Sequence, residues 1–438
     1  MHIFFSGIGG MGLGPLAQIA HQAGYDVSGS DKQSSLYIDY LRKQGITDIT
    51  TTQDYTTISV CHERHPIDWL VYTSALPMEH ADPDELRFAR EHGIRFSKRD
   101  ELLNHIIEEK RLSLIAVAGT HGKTTTTAQA VWLLNRLGIP TSYSVGAKLP
   151  FGDMGHFDPT SHYFIYEADE YDRNFLYFHP SYSLISGLDW DHPDIYPTRD
   201  SYNEAFRTFI EHSQHVIAWQ SDITQLQLPK KTHLTVLDDH EPAIATSRLL
   251  GAVNRRNAWL VACGLQTIAS KPARELLALL NDFPGVSRRF EQIVPHLYSD
   301  YAHTPPKIRG ALQLAHEVAG DNVVVVYEGL HNSRQHFIKS ELAHLFDAIK
   351  QLYIVPSYLA REDPDLSLLS PKHLLTLLSP AAQAHSETAG LDTHLRQTIA
   401  KHLAANDLVL CLTAGGGGSL DEWLRQQFGM ERSDSADQ

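Results

Sequence analysis

The sequence predicts an α/β protein made of three successive units, each with a parallel sheet. Two observations support this prediction. Strand-like apolar runs alternate with helical runs through most of the chain, and the order of strand, glycine-containing loop and helix begins anew near residues 108 and 285. We therefore expect three domains, with boundaries at 1–107, 108–284 and 285–438.

The composition disfavours several classes of partner. The 438 residues carry a formal net charge of −15 and contain no long Lys/Arg block, so nucleic acid is not an expected partner. Cys61, Cys263 and Cys411 lie far apart in the chain, which predicts free thiols in a reducing compartment. Because no apolar run reaches membrane-spanning length, we expect a cytoplasmic protein that does not insert into membranes.

The first glycine-rich loop follows the apolar run at residues 3–5 and precedes a helical pattern. It reads G-x-G-x-x-G, which is typical of a backbone loop that binds a pyrophosphate at a helix N-terminus. Its candidate ligand contacts are Gly7, Gly9, Gly10, Met11 and Gly12. Asp31 ends the next predicted strand, nineteen positions after Gly12. That spacing also fits a nicotinamide-dependent dehydrogenase, so the loop alone does not decide the ligand.

A second loop has the residues of a phosphate-binding loop. It joins the apolar run at residues 114–118 to a helical run, and it contains Gly119, Thr120, His121, Gly122, Lys123, Thr124 and Thr125. Small residues let backbone N–H groups converge on phosphate oxygens, a lysine reaches the outer phosphates, and a hydroxyl holds Mg²⁺. The glycine that precedes Gly122 stands three positions earlier, which departs from the common spacing. We expect a nucleoside triphosphate here.

Two later strand-like runs end in acidic residues. One ends in the segment 167–170, with Glu167 first, and the next ends in the segment 189–192, with His192 last. Parallel strands place their carboxyl ends at one edge of a sheet, where carboxylates and an imidazole can hold Mg²⁺. Together with the phosphate loop, these strand ends predict a magnesium–nucleotide site.

Several motifs then occur in a fixed order: "AGTHGKTTTT", "YEADEYDRNFL", "GLDWDHPDIY", "GVSRRFE" and "DYAHTPPKIRGAL". In this order they resemble the ATP-dependent Mur ligases of peptidoglycan synthesis, and the resemblance spans the whole chain. It implies a Rossmann-like UDP-binding N-terminal domain, a central P-loop ATPase-like domain and a Rossmann-like C-terminal domain. The loop and the "EADEYD" segment are most similar to family members that act on UDP-N-acetylmuramate. "SYLARED" near residue 360 resembles the C-terminal domain of the member that adds L-alanine.

The resemblance implies a reaction and its participants. ATP and Mg²⁺ would activate the lactyl carboxylate of UDP-N-acetylmuramate as an acyl phosphate, which the amine of L-alanine would attack. A related family member adds a preformed tripeptide instead, and that alternative stays open. A monomer or a weak homodimer is expected.

Residue roles also follow from the resemblance. Lys123, Glu167, His192 and His303 would be catalytic, and Thr124, Glu167 and His192 would hold metal. Beyond the phosphate loop, ATP would contact Asn254, Asn257, Arg289 and Asp300. Besides the first glycine loop, substrate contacts would come from Asp31, Ser74 and Arg334, the last of these through the carboxylate of the amino acid.

Two positions depart from the family pattern. Val253 and Leu330 stand where histidines are usual, although His331 follows one position later. A nucleotide-binding relative without catalytic activity therefore remains an alternative.

Overall fold

The computed structural model describes residues 1–73, 76, 82–192, 195–229, 233–359, 362–363, 365–413 and 418–429. Ser74 and part of "SYLARED", Ala360 and Arg361, lie outside these residues. The described residues form three sheets in two compact units, which confirms the α/β class. The first unit contains Met1–Ser247 and Arg256–Phe283; the second contains Arg248–Arg255 and the described residues from Pro284 onward. The three-domain boundaries stay a prediction.

The first sheet has five parallel strands in the order β3-β2-β1-β4-β5. The strands are β1 (His2–Ser6), β2 (Asp26–Ser30), β3 (Ile49–Thr50), β4 (Trp69–Tyr72) and β5 (Arg95–Lys98). The helices described with it are α1 (Leu13–Gln22), α2 (Leu36–Lys43), α3 (Tyr55–Arg64), α4 (Asp84–Glu91) and α5 (Arg99–Glu109). All five residues of β1 are buried, as expected for a central parallel strand with both faces covered.

The second sheet has seven strands in the order β12-β11-β10-β6-β9-β7-β8, and β8 is antiparallel to its neighbour. The strands are β6 (Ser113–Ala118), β7 (Thr141–Ser144), β8 (Gly155–His156), β9 (Tyr163–Glu167), β10 (Tyr182–Ile185), β11 (His215–Trp219) and β12 (Leu234–Leu237). The helices in this part of the chain are α6 (Lys123–Arg136), α7 (Arg199–His212), α8 (Gln220–Leu226), α9 (Ala252–Ala269) and α10 (Ala273–Leu280). Short 3₁₀ turns cover Tyr171–Tyr177 and Pro242–Thr246.

The third sheet has six strands in the order β13-β14-β18-β15-β16-β17, and β13 is antiparallel to β14. The strands are β13 (Glu291–Val294), β14 (Leu297–Asp300), β15 (Val323–Leu330), β16 (Gln351–Tyr358), β17 (Ser386–Thr388) and β18 (Leu408–Leu412). The helices are α11 (Pro305–Ala319), α12 (Asn332–Leu342), α13 (Pro371–Thr376), α14 (Pro380–Gln383), α15 (Thr393–Ala404) and α16 (Leu420–Phe428).

Strand order in the second sheet explains where chemistry can occur. Strand β6 pairs in parallel with β10 on one side and β9 on the other. The loop that follows β6 therefore lies between the carboxyl ends of two strands that the sequence predicted to end in acidic residues.

Two further findings concern the cysteines and the length of the helices. The three cysteines are free thiols. None of the described helices is both long enough and apolar enough to cross a membrane.

Candidate active site

The phosphate loop begins at Gly119, whose φ of +140° is open to glycine. A Cβ at this position would lie 2.5 Å from Ser186 Oγ and 2.9 Å from the carbonyl oxygen of Gly187. Thr120 N donates to the Gly187 carbonyl (2.8 Å), and Thr120 Oγ1 donates to the carbonyl of Asp189 (2.6 Å). The loop is thus bound to the segment after β10, and its backbone has no room for a side chain at Gly119.

Gly122 ends the loop and caps α6 in a left-handed conformation, with φ +74°. A Cβ there would lie 2.8 Å from Asn257 Nδ2 and 3.0 Å from Asn257 Oδ1. Asn257 is 1% exposed, and its side-chain amide has no hydrogen-bond partner among the described residues. A buried amide without a partner is costly, so this one suits a polar ligand beside the loop. The other asparagine of the predicted pair, Asn254, donates to the carbonyl of Leu250 (2.9 Å).

Lys123 is the first residue of α6, and its ammonium is already paired. Nζ donates to the Gly119 carbonyl (2.7 Å) and to Glu170 Oε2 (2.6 Å). Burial lowers the pKa of Lys123, but the carboxylates of Glu170 and Asp169 raise it by more, so the net pKa lies above its ordinary value. The ammonium is therefore charged, and Glu170, 1% exposed, is its counter-ion. Glu170 is not among the site residues predicted from the sequence. The available signal was a second carboxylate at the same strand end as Glu167.

Thr124 and Glu167 place two hard oxygen ligands side by side. Thr124 Oγ1 donates to Glu167 Oε1 (2.7 Å), and Gly146 N donates to Glu167 Oε2 (2.6 Å). Mg²⁺ in nucleotide sites is usually held by one or two protein oxygens together with phosphates and water. The Thr124–Glu167 pair fits such an ion.

His192 lies beside Glu170 in a strained backbone conformation. Its φ is +56°, and its Nε2 is 3.9 Å from Glu170 Oε1 and 3.9 Å from Asp191 Oδ2. Left-handed non-glycine residues concentrate at functional sites. Among the described residues, no group of three or more His, Cys, Asp or Glu side chains forms a metal cage by itself. Of the three expected metal residues, Thr124 therefore pairs with Glu167, whereas His192 lies beside Glu170, a residue not expected to hold metal.

Arg289 and Asp300 belong to the second unit. Asp300 Oδ2 accepts from Phe290 N (2.7 Å), and burial raises the pKa of this carboxyl to about 6 against the opposing charge of Arg289. The Arg289 guanidinium lies over the ring of Tyr301, 5.1 Å from its centroid.

His303 lies near Arg334 in the same unit. Its Nδ1 is 3.0 Å from the carbonyl of Tyr301, and the imidazole is 8% exposed. Burial lowers the pKa of His303 well below its ordinary value, and the charges of Lys307 and Arg334 lower it further. This imidazole is therefore neutral near pH 7.

Leu330 stands where the family usually has a histidine, and His331 follows it by one position. Leu330 is a buried core residue at the end of β15, 7% exposed. His331 caps α12 with φ +53°, and its Nδ1 is 3.5 Å from Glu362 Oε1. Glu362 Oε2 also accepts from Asn332 N (2.7 Å) at the helix start. His331 thus lies beside Glu362 at the start of α12, whereas Leu330 is buried in the core.

The first glycine loop lies between β1 and α1. Gly7 N donates to the carbonyl of Ser30 (2.8 Å), and Gly9 N donates to Asp31 Oδ2 (2.8 Å). Asp31 therefore accepts a hydrogen bond from the loop backbone, and its expected contact with the substrate stays a prediction. No side chain caps the start of α1 after Gly12, and Met11 is 61% exposed.

A cavity of about 470 Å³ lies at the same edge of the first sheet, with Lys32, Gln53 and Glu85 in its lining. Glu85 is 1% exposed and accepts hydrogen bonds from the hydroxyls of Ser6 and Ser30. Burial raises its pKa to about 7, although the two hydroxyls oppose the shift. Neither Gln53 nor Glu85 is predicted from the sequence as a site residue.

Comparison with known proteins decides the family. A model described as "Mur ligase family, catalytic domain" matches residues 2–111. The UDP-N-acetylmuramate–L-alanine ligase of Roseiflexus castenholzii is 30% identical over the full length of both chains. The chain belongs to the Mur ligase family. The ligase of the same name from Renibacterium salmoninarum is 30% identical, with 83% of each chain covered.

Solved structures of Mur ligases share the fold of this chain. The UDP-N-acetylmuramate-alanine ligase of Thermotoga maritima has a TM-score of 0.74 at 22% identity, with 98% of each chain covered. A murein peptide ligase of Psychrobacter arcticus has a TM-score of 0.66 at 20% identity, covering 98% of this chain and 99% of its own. The predicted family and the ligase class are confirmed, and the dehydrogenase hypothesis is not supported.

In this Mur ligase, the structure brings together most of the residues expected around the phosphate loop. Glu170 contacts both Lys123 and His192. Thr124, which follows Lys123, donates to Glu167, and Asn257 lies against Gly122. His303 lies within electrostatic range of Arg334 in the second unit. Ser74 is outside the described residues.

Proposed function

We propose that the protein is an ATP-dependent ligase that joins the lactyl carboxylate of UDP-N-acetylmuramate to the amine of L-alanine. The observation that carries this proposal is the phosphate loop, which combines the charged ammonium of Lys123 with the hydrogen-bonded oxygen pair of Thr124 and Glu167. Full-length curated relatives bear this activity in their names. The reaction would be a cytoplasmic step of peptidoglycan precursor synthesis.

The chemistry follows from the weakness of a carboxylate as an acyl donor. Transfer of the γ-phosphoryl group to the carboxylate yields an acyl phosphate and ADP, and the amine then displaces phosphate through a tetrahedral intermediate. Catalysis of this kind depends on positioning and on charge neutralisation. Gly119 and Glu170 accept two of the three N–H groups of Lys123, and the third would donate to a phosphate oxygen. Mg²⁺ held by Thr124 and Glu167 would supply further positive charge at the phosphates.

UDP-N-acetylmuramate, whose carboxylate would accept the phosphoryl group, would bind at the edge of the first sheet that carries the first glycine loop. Its pyrophosphate would rest on the amides at the start of α1, where no side chain competes. The cavity of about 470 Å³ at the same edge of the sheet has room for a nucleoside. A UDP-sugar supplies both groups.

The amine substrate is assigned to the second unit. Arg334 would bind the carboxylate of the amino acid as a guanidinium–carboxylate pair. Neutral His303 lies close enough to Arg334 to have its pKa lowered by it, and an unprotonated imidazole can take the proton that the amine loses.

Release of ADP tests this function directly. Purified protein with Mg-ATP is expected to release ADP only when UDP-N-acetylmuramate and L-alanine are both present, and Lys123→Met is the inactive control. Faster turnover with a preformed tripeptide than with L-alanine would favour the recycling reaction. ATP binding without turnover under every combination would indicate a non-catalytic relative.

A further inference from the structure

Three consecutive side chains at the junction of β5 and α5 each contact the segment 166–172, which runs from the end of β9. The pairs are Lys98 with Asp172, Arg99 with Asp169 and Asp100 with Tyr166. We call these three pairs the 98–100 clasp. The clasp joins the end of the first sheet to the segment of the second sheet that carries Glu167 and Glu170.

Arg99 also faces the first glycine loop. Its Nη1 would lie 3.1 Å from a Cβ at Gly12, the residue that precedes α1. Its Nη2 is 3.5 Å from Asp169 Oδ2, and its Nε is 3.5 Å from Asp100 Oδ2. Two carboxylates thus hold the guanidinium beside the loop, and its Nη1 is the atom nearest to Gly12. A guanidinium in this position can bind phosphate oxygens with two parallel hydrogen bonds.

The other end of the clasp reaches the nucleotide site. Asp169 stands between Glu167, which accepts from Thr124, and Glu170, which accepts from Lys123. A displacement of Asp169 would therefore move the partners of both phosphate-loop side chains. The coupling path consists of one ion pair and one short segment.

The segment held by the clasp is strained. Asp172 and Arg173 are consecutive residues with φ of +54° and +58°. Such conformations persist where surrounding contacts enforce them, and the Lys98–Asp172 pair is one such contact. Loss of the clasp would allow this segment to relax away from the nucleotide site.

We propose that Arg99 is a positioning residue that couples a diphosphate on the first glycine loop to the nucleotide site through its ion pair with Asp169. The inference rests on the proposed function, because it assumes that a UDP-linked substrate occupies the loop. A diphosphate holds Arg99, Arg99 holds Asp169, and the segment then keeps Glu167 and Glu170 in place for the nucleotide. Coupling of this kind is reciprocal, so the nucleotide also strengthens diphosphate binding.

The test measures affinity for a non-hydrolysable Mg-ATP analogue by calorimetry, with and without saturating UDP. UDP is the probe because it carries the diphosphate but has no acceptor carboxylate that could touch the nucleotide. In the unmodified protein, UDP is expected to tighten analogue binding by about 5-fold or more. In Asp169→Asn this ratio falls close to 1, while UDP affinity changes by no more than about 3-fold. In Arg99→Lys the ratio also falls, and UDP binds about 10-fold more weakly because the bidentate fork is lost.

Arg95→Lys is the matched control. Arg95 lies in β5, four positions before Arg99, and its guanidinium stacks on Trp69 at 3.3 Å from the ring centroid. We expect this variant to keep the coupling ratio of the unmodified protein, and thermal unfolding checks that each variant is folded.

Two results would overturn the inference: a ratio of 1 in the unmodified protein, or an unchanged ratio in folded Asp169→Asn and Arg99→Lys. Failure of the unmodified protein to bind UDP at all would instead refute the proposed function.

Discussion

Glu85 makes the stability of the first sheet dependent on pH in a direction opposite to that of most carboxylates. Its pKa is raised from 4.5 to about 7 because the carboxyl is buried beneath the ends of β1 and β2. The folded state therefore keeps this proton to higher pH than the unfolded state does. The contribution of Glu85 to stability is therefore greatest below about pH 4.5 and is lost as the pH rises through 7.

The magnitude follows from the same shift. A difference of about 2.5 pKa units corresponds to about 3 kcal/mol, and about 2 kcal/mol of it is lost between pH 5 and pH 8. Glu85→Gln keeps a hydrogen-bonding side chain but removes the ionisation. We expect the free energy of unfolding of the variant, relative to that of the unmodified protein, to be about 2 kcal/mol higher at pH 8 than at pH 5.

Urea unfolding at pH 5, 6, 7 and 8 measures this difference, because the titration of all other groups cancels between variant and parent. Glu91→Gln is the matched control, since Glu91 lies on the same helix α4 with its side chain exposed. A stability difference between Glu85→Gln and the parent that stays constant from pH 5 to pH 8 would refute the assignment of a buried, high-pKa carboxyl.

Three further predictions concern the candidate active site. Lys123→Met should destabilise the protein by about 3 kcal/mol because it leaves buried Glu170 without a counter-ion. Adding Glu170→Gln should restore the urea midpoint but not ATP binding. A Lys123→Met variant as stable as its parent would contradict the pairing. Gly122→Ala should weaken nucleotide affinity about 10-fold, through its positive φ and its contact with Asn257. Asn257→Ala in that background should not recover the affinity, because it removes an expected ATP contact. Equal affinities for Gly122→Ala and its parent in calorimetry would refute the crowding. Arg334→Met should raise KM for the amino acid about 10-fold and leave KM for ATP unchanged, whereas a change confined to KM for ATP would exclude an amine-binding role.

Local patterns predicted the elements around the site, since strand, loop and helix can be recognised from apolar runs and glycine spacing. They also predicted that Glu167 ends a strand. They could not show that β9 and β10 flank β6, because strand order is a tertiary property. The pairing of Lys123 with Glu170 depends on that order, and so it was missed.

Glu85 shows a second limit of sequence reasoning. It stands in the hydrophilic stretch "DPDELRFARE", which indicates an exposed helix. The fold turns this one carboxyl inward, where Ser6 and Ser30 donate to it. Asn257 is a similar case: the family resemblance implied a nucleotide contact, but only the packing shows its amide buried against Gly122.

The pairing of Lys123 with Glu170 also bears on which form of ATP the protein accepts. The lysine brings little uncompensated positive charge to the loop, while Glu167 adds negative charge nearby. Free ATP, a tetra-anion, would meet electrostatic repulsion there, whereas its magnesium complex carries half that charge. The protein would then respond to the concentration of the complex rather than to total ATP, and its rate in the cell would follow the magnesium supply.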